Sequence, residues 1–306
     1  MKALLATEKP FAKTAVDGMK AIFDAAGIET VLLEKCTENG EFLKAVADVD
    51  ALIVRSDKVG KDVIAAAKNL KVVVRAGAGY DNLDLEACTA RGIVAMNTPG
   101  QNANAVAELA IGMMIFMARN NFETGTGAEL KGKKLGIHAY GNVGRIVAML
   151  GKGFGMEVYA FDPFVAKEAI EKDGVKVLAT AEELYSTCHY ISLHIPATEK
   201  TKKSISKVLL SRMLKGAVLV NTARKEVINE AELVDLMKER LDLKYISDIA
   251  PDCHAEMKDK FGTRYFSTIK KIGAETAEAN INAGLASANQ IVAYFKTGDK
   301  KFQVNK

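Results

Sequence analysis

Residues 134–162, KLGIHAYGNVGRIVAMLGKGFGMEVYAFD, constrain the fold more than any other stretch. Positions 135–139 read as a short apolar strand. Tyr140-Gly141-Asn142-Val143-Gly144 is a tight turn opening a helix, whose apolar face is Ile146, Val147 and Leu150. Positions 157–161 form a second strand that ends on Asp162. This is the order of a dinucleotide site. Free N–H groups and the macrodipole at a helix N-terminus favour a diphosphate. Glycines let the backbone approach it, and an acid after the second strand accepts from the adenosine ribose. Asp162 lies 18 residues past Gly144 and favours NAD over the 2′-phosphate of NADP. The pattern G-x-G-x-x-G is broken at its first glycine, which is Ala139, the smallest substitute. The bland alternative is a strand–turn–helix of some other α/β protein.

A chain of 306 residues holds about two domains, and 49% hydrophobic content supplies real cores. The net charge of +4 is spread along the chain, so a nucleic-acid partner is not indicated. Cys36, Cys88, Cys188 and Cys253 show no C-x-x-C spacing, so neither a disulfide framework nor a metal site is expected. The start, MKALLATEKP, is too short for the apolar core of a signal peptide, and the longest apolar run, 109–118, is too short for a membrane span. A cytoplasmic protein is expected.

Strands are suggested at 3–6, 30–35, 51–55, 72–75 and 93–97, with amphipathic stretches near 12–26, 40–47, 60–68 and 84–91. Such alternation predicts a parallel sheet with helices on both faces. Ligands then bind beyond the carboxyl ends of strands, which marks Arg55-Ser56 and the run from Arg75 to Gly79. Asn97-Thr98-Pro99-Gly100 punctuates the chain. A helix over 102–119 follows, apolar nearly all round, and must be buried on several sides or meet a second subunit. After Asp162 strands are expected at 175–178, 190–194, 217–221, 244–249 and 265–269, with helices near 166–172, 181–186, 206–214, 229–239 and 275–296.

Four segments now line up with a known family: VRSDKVGKDVIAAAKNLKVVVRAGAGYDNLD, NTPGQNANAVAELAIGMM, ISLHIPATEKT and LVNTARKEVINEAEL. Together they resemble the D-isomer-specific 2-hydroxyacid dehydrogenases, most of all the short members acting on D-3-phosphoglycerate. The resemblance covers nearly the whole chain. It implies an α/β fold of two doubly wound parallel-sheet domains. A flavodoxin-like substrate domain would use 1–98 and 275–306, and a Rossmann cofactor domain 99–274. It further implies NAD, a small phosphorylated 2-hydroxy acid as substrate, and a homodimer through helix 102–119.

The same resemblance assigns roles. Arg224 grips the substrate carboxylate and carbonyl oxygen, a task suited to a planar, permanently charged fork. The N–H groups of Ala76 and Gly77 form a second carboxylate clamp. Arg55 and Ser56 hold the phosphate end, with Arg75 and Asn102 beside them; the alternative for Ser56 is a helix N-cap. Cofactor positions are Ala78, Tyr140, Gly141, Asn142, Val143, Asp162, His194, Ile195, Pro196, Thr222, Ala223, Arg224, Asp248, Gly273 and Ala274. Asp248 in particular would hold the nicotinamide amide.

Three departures stand out. The family's catalytic His in P-H-I-G-G is Lys271 in Lys270-Lys271-Ile272-Gly273-Ala274. A lysine can move the proton if desolvation and a nearby Arg224 lower its pKa. The family's Glu in D-V-F-x-x-E-P falls on Cys253, leaving Asp252 as the nearest carboxylate and the expected partner of Lys271. The link from helix 102–119 to the next strand is also shorter than in relatives. The chain ends at Lys306, so a regulatory tail is not expected. Of the histidines, His138 reads as core, His189 as exposed and His254 as the rival acid–base group. Rival functions are a glyoxylate or hydroxypyruvate reductase and, outside enzymes, a non-catalytic NAD-sensing corepressor.

Overall fold

The structure is a computed structural model that describes residues 1–305. The chain forms two compact units. One runs from Met1 to Asn102 and resumes at Glu275; the other spans Ala103–Ala274.

The first unit contains β1 (Lys2–Thr7), α1 (Lys13–Ala25), β2 (Glu29–Glu34), α2 (Asn39–Ala45), β3 (Ala51–Val54), α3 (Lys61–Ala66), β4 (Val72–Arg75), α4 (Leu85–Ala90) and β5 (Val94–Asn97). Its strands pair in the order β2-β1-β3-β4-β5, all parallel, which is the flavodoxin-like order. Runs such as Val72-Val73-Val74 are buried on both faces, as central parallel strands must be. One apolar cluster on each face accounts for this burial.

The second unit contains α5 (Ala103–Ala118), β6 (Lys134–His138), α6 (Asn142–Gly153), β7 (Glu157–Phe161), α7 (Lys167–Glu171), β8 (Lys176–Val177), α8 (Ala181–Thr187) and β9 (Tyr190–Leu193). It continues with α9 (Lys207–Leu210), β10 (Val218–Asn221), α10 (Glu230–Glu239), β11 (Lys244–Ser247), α11 (His254–Phe261) and β12 (Tyr265–Ser267). The strand order β12-β11-β10-β9-β6-β7-β8 is that of a Rossmann sheet, again wholly parallel. The expected fold class is therefore what the chain adopts.

Two elements differ from expectation. The helix placed over 206–214 is a single turn, α9, that starts where expected, behind Ser206, but ends at Ser211, with a further turn at Gly216 (φ 74°) before the next strand. Helix α11 lies outside the helices expected from the sequence. It begins behind Pro251-Asp252-Cys253 without a side-chain cap, and only Met257 and Phe261 of it are buried.

The last helix, α12 (Ala277–Thr297), returns to the first unit. Thr276 caps it by accepting from the Ala279 N–H, and Gly298 ends it in the left-handed conformation at φ 72°. It packs on α1 through small residues. A Cβ at Gly18 would come within 2.5 Å of Leu285, and one at Gly284 within 3.2 Å of Met19. Beyond it the chain lies along the open edge of the first sheet, where Val304 donates to Ala95. Buried Asn305 accepts from Ala95 N at 2.8 Å and donates to Ile93 O at 2.9 Å and Thr89 Oγ1 at 3.1 Å. Replacing it strands buried backbone groups, each worth about 1–3 kcal/mol. Asn305→Ala is expected to lower the unfolding free energy by about 2–3 kcal/mol, measured by urea denaturation; an unchanged midpoint would refute this.

Candidate active site

Parallel register aligns the carboxyl ends of the central strands in the second unit. His138 lies opposite Leu193, Leu193 opposite Asn221 and Asn221 opposite Ser247. Segments 139–144, 194–196 and 222–224 and Asp248 therefore leave the sheet at one edge. That edge contains the reversal of strand order between β6 and β9, the place where such sheets bind ligands.

The glycine turn leads off this edge. Ala139 stands at φ 81°, a left-handed conformation that costs an L-residue about 1–2 kcal/mol. Gly141 is the N-cap of α6 with no side-chain cap, and a Cβ there would meet nothing within 4 Å. Gly144 is required for close packing, since a Cβ would lie 2.3 Å from Ala139 O. Tyr140 is buried and donates its hydroxyl to Asp173 at 3.0 Å, while Asn142 is exposed and Val143 half-buried. Asp162 holds the turn from the far side. Its Oδ2 accepts the Tyr140 N–H at 2.7 Å, and its Oδ1 accepts those of Phe164 at 2.8 Å and Val165 at 3.3 Å. A carboxylate has about four acceptor directions, so room remains for a ribose hydroxyl.

Beside the turn, two buried polar atoms have no partner among the described residues, His194 Nε2 and Thr222 Oγ1. Ile195 is buried and Pro196 exposed at the same rim. An open helix N-terminus, space above Gly141, a carboxylate with spare capacity and unpartnered polar atoms all fit NAD. Bound there, NAD supplies a hydride acceptor.

The second cluster is built on β10 and β11. Asn221 pins the following turn: its Oδ1 accepts the Ala223 N–H at 2.9 Å and its Nδ2 donates to Arg224 O at 3.1 Å. This Asx-type turn was legible in N-T-A-R as an Asn at a strand end, but Asn221 was not singled out. The Arg224 guanidinium donates to Ala223 O at 3.1 Å. Asp248 is wholly buried, and its carboxylate receives the Lys271 ammonium at 2.9 and 3.0 Å. Lys271 also donates to Thr222 O at 3.1 Å and Ala223 O at 3.0 Å. Gly273 N donates to Asp248 Oδ2 at 3.1 Å, and a Cβ on Gly273 would lie 2.6 Å from that oxygen. Ala274 follows, half-buried. Burial lowers the pKa of Lys271, Asp248 opposes this, and Arg224 lowers it further.

Several expectations need correcting. Asp252 does not partner Lys271: it is 80% exposed and ion-paired with Lys225. The partner is Asp248, because residue 248 ends a strand whose neighbour leads to 271, whereas 252 sits on a solvated loop. Cys253 at the family's Glu position is half-buried, and burial pushes its thiol up to about 12. His189 is half-buried, not exposed, with Nδ1 accepting the Lys134 N–H at 3.1 Å. His254 is occupied, since its Nδ1 lies 2.9 Å from both Tyr265 Oη and Ser267 Oγ. His138 is core, 3.2 Å from Tyr185 Oη.

In the first unit, Arg55 stands at the end of β3, beside the reversal of strand order between β1 and β3. Its guanidinium donates to Lys9 O at 3.2 Å, Pro10 O at 3.1 Å and Asn280 Oδ1 at 2.6 Å, with Glu275 4.0 Å away. Arg75 Nε donates to Arg55 O at 2.9 Å. The proposed N–H clamp is not free. Ala76 N donates to Val54 O at 2.8 Å, extending the sheet, and Gly77 N donates to Arg75 O at 2.9 Å. Ala78 O accepts from Asn97 at 2.6 Å. Ser56 is exposed and is not the cap of α3, which is Gly60. Asn102 is half-buried just before α5.

Burial lowers His138 to about 4, so the folded state holds it neutral below the pH at which the unfolded chain protonates. Unfolding then takes up a proton between pH 6.5 and about 4, and stability falls as pH falls through that window, by about 3 kcal/mol for this residue. Urea midpoints from pH 7.5 to 4.5 should fall less steeply in His138→Gln; an equal slope would refute the assignment.

No group of three or more His, Cys, Asp or Glu side chains suited to a metal occurs among the described residues, and no helix there is long and apolar enough to cross a membrane. Residues 112–261 match the family profile for the D-isomer specific 2-hydroxyacid dehydrogenase NAD binding domain. The chain is 37% identical to the D-3-phosphoglycerate dehydrogenase of Methanocaldococcus jannaschii over 82% of its own length and 51% of the relative's. It is 34% identical to the hydroxypyruvate reductase of Thermotoga maritima, over 83% of this chain and 87% of the relative. The NAD+-bound 3-phosphoglycerate dehydrogenase of Entamoeba histolytica superposes with a TM-score of 0.91 at 48% identity, covering 100% of this chain and 99% of that one. The chain spans about half the length of most curated phosphoglycerate dehydrogenases it matches. With the glycine turn, Asp162 and Arg224 already in place, these likenesses decide the family: the chain is a member of the D-isomer-specific 2-hydroxyacid dehydrogenases and carries their NAD-binding domain.

Proposed function

We propose that this chain oxidises D-3-phosphoglycerate to 3-phosphohydroxypyruvate with NAD, the entry reaction of phosphorylated serine synthesis. The observation that carries the reading is Lys271, whose side chain is 31% exposed at the dinucleotide edge with Arg224 acting on its charge. In oxidation the neutral amine takes the hydroxyl proton; in reduction the ammonium returns it to the carbonyl oxygen. Arg224 grips the carboxylate and stabilises charge on that oxygen. Asp162 accepts from the ribose and repels a 2′-phosphate. The names of the relatives from Methanocaldococcus jannaschii and Entamoeba histolytica support the substrate.

A second reading, reduction of hydroxypyruvate, has two observations in its favour. One relative of comparable length, from Thermotoga maritima, bears that activity in its name. Both terminal nitrogens of Arg55, expected to hold a phosphate, already donate to Lys9, Pro10 and Asn280.

Helix α5 leaves Leu109, Ile115 and Phe116 half-covered, which supports pairing of two copies through this helix. Sedimentation equilibrium should give a dimer at micromolar concentration; a monomer would exclude the pairing. Initial rates should show turnover of NAD with D-3-phosphoglycerate, and Lys271→Met should lose about 100-fold or more in kcat. Turnover only of NADH with hydroxypyruvate would install the second reading. No turnover with any 2-hydroxy or 2-keto acid would sink both, and a preference for NADP would refute the role of Asp162.

A further inference from the structure

Lys271 carries three N–H donors, and each meets an acceptor: the Asp248 carboxylate, Thr222 O and Ala223 O. The two carbonyls are held by the turn that Asn221 pins. The carboxylate is held by the end of β11 and by the Gly273 N–H. Asp248 is 0% exposed, so its charge requires a partner. The charged or titratable groups around the amine are Asp248 after β11, Arg224 and Glu226 after β10, and His194 after β9.

We propose that Asp248 is the positioning residue for Lys271, fixing its Nζ against the Thr222 and Ala223 carbonyls and keeping it an ammonium in the ligand-free protein. The role in proton transfer rests on the reading of Lys271 as the acid–base group; the pairing itself does not. The consequence is directional. The resting site is ready to give a proton, as reduction requires. Oxidation draws on the fraction of neutral amine, so its rate climbs with pH until the lysine has titrated. Asp248 sets where that happens.

Two measurements test the pairing. Urea midpoints of ligand-free wild type, Lys271→Met, Asp248→Asn and the double variant form a cycle. Lys271→Met strands a buried carboxylate and lowers the midpoint. Adding Asp248→Asn removes that charge and is expected to recover part of the loss. Additive midpoints would overturn the proposal. The double variant buries no unpaired charge, so the cycle survives a poorly folded single variant. Titration of the Lys271 ε-carbon by NMR gives the second readout. In Asp248→Asn its midpoint should move to lower pH by about one unit or more, and the rising limb of the oxidation rate profile with it; an unmoved midpoint would overturn the proposal. Coupled midpoints with no turnover on any 2-hydroxy acid would overturn the dehydrogenase reading while supporting the pair. Turnover with additive midpoints would overturn the pair alone.

Discussion

A carboxylate with no solvent exposure organises the carboxyl-end edge of the second unit's sheet. Burying an unpaired charge costs several kcal/mol, so everything around Asp248 is arranged to answer it. Lysine rather than histidine meets it from 271, and the Gly273 N–H meets it from the same strand exit. Gly273 has no side chain because there is no space for one: a Cβ would press on the carboxylate at 2.6 Å. The parallel register of β10 and β11 then brings the 222–223 carbonyls to the same amine. Three segments distant in sequence converge on one proton-carrying nitrogen.

Much of this was legible in the chain, for physical reasons. Buried parallel strands are short β-branched runs with clear ends, so β4 and β10 fall within a residue of where the sequence puts them. The glycine turn was readable because its residues answer local demands of approach and packing. Partner choice was not readable. Asp252 is closest in sequence to the position the family gives to glutamate, but it lies on a loop that faces water and Lys225. The family resemblance gives Asp248 to the nicotinamide, and nothing in the residue order says that its oxygens also reach residue 271. Helix α11 escaped for a related reason. Its burial rests on two side chains, Met257 and Phe261, too few to make a periodic signal.

The first unit teaches the same lesson about backbone groups. Glycine-rich residues after a strand suggest free N–H donors, and 76–77 carry them by type. In the fold, Ala76 continues the ladder to Val54 and Gly77 closes a turn on Arg75. Arg55 likewise reads as an unpaired cation at a strand end. It instead ties the loop after β1 to the start of α12. A charged residue at a strand end is a good marker of where chemistry belongs, but not of whether its donors are unspent.

Asp162 brings these threads together at the other end of the dinucleotide edge. Its carboxylate is a structural group before it is a recognition group: it receives the Tyr140 N–H of the turn and two N–H groups of its own loop. Ala139, strained at φ 81°, is the residue just before Tyr140. The hydrogen bond to Asp162 therefore helps hold a turn that lacks its usual first glycine. The acid that would select the ribose and the turn that would receive the diphosphate are thus one hydrogen-bonded unit, and a substitution aimed at cofactor preference at 162 would loosen the turn as well.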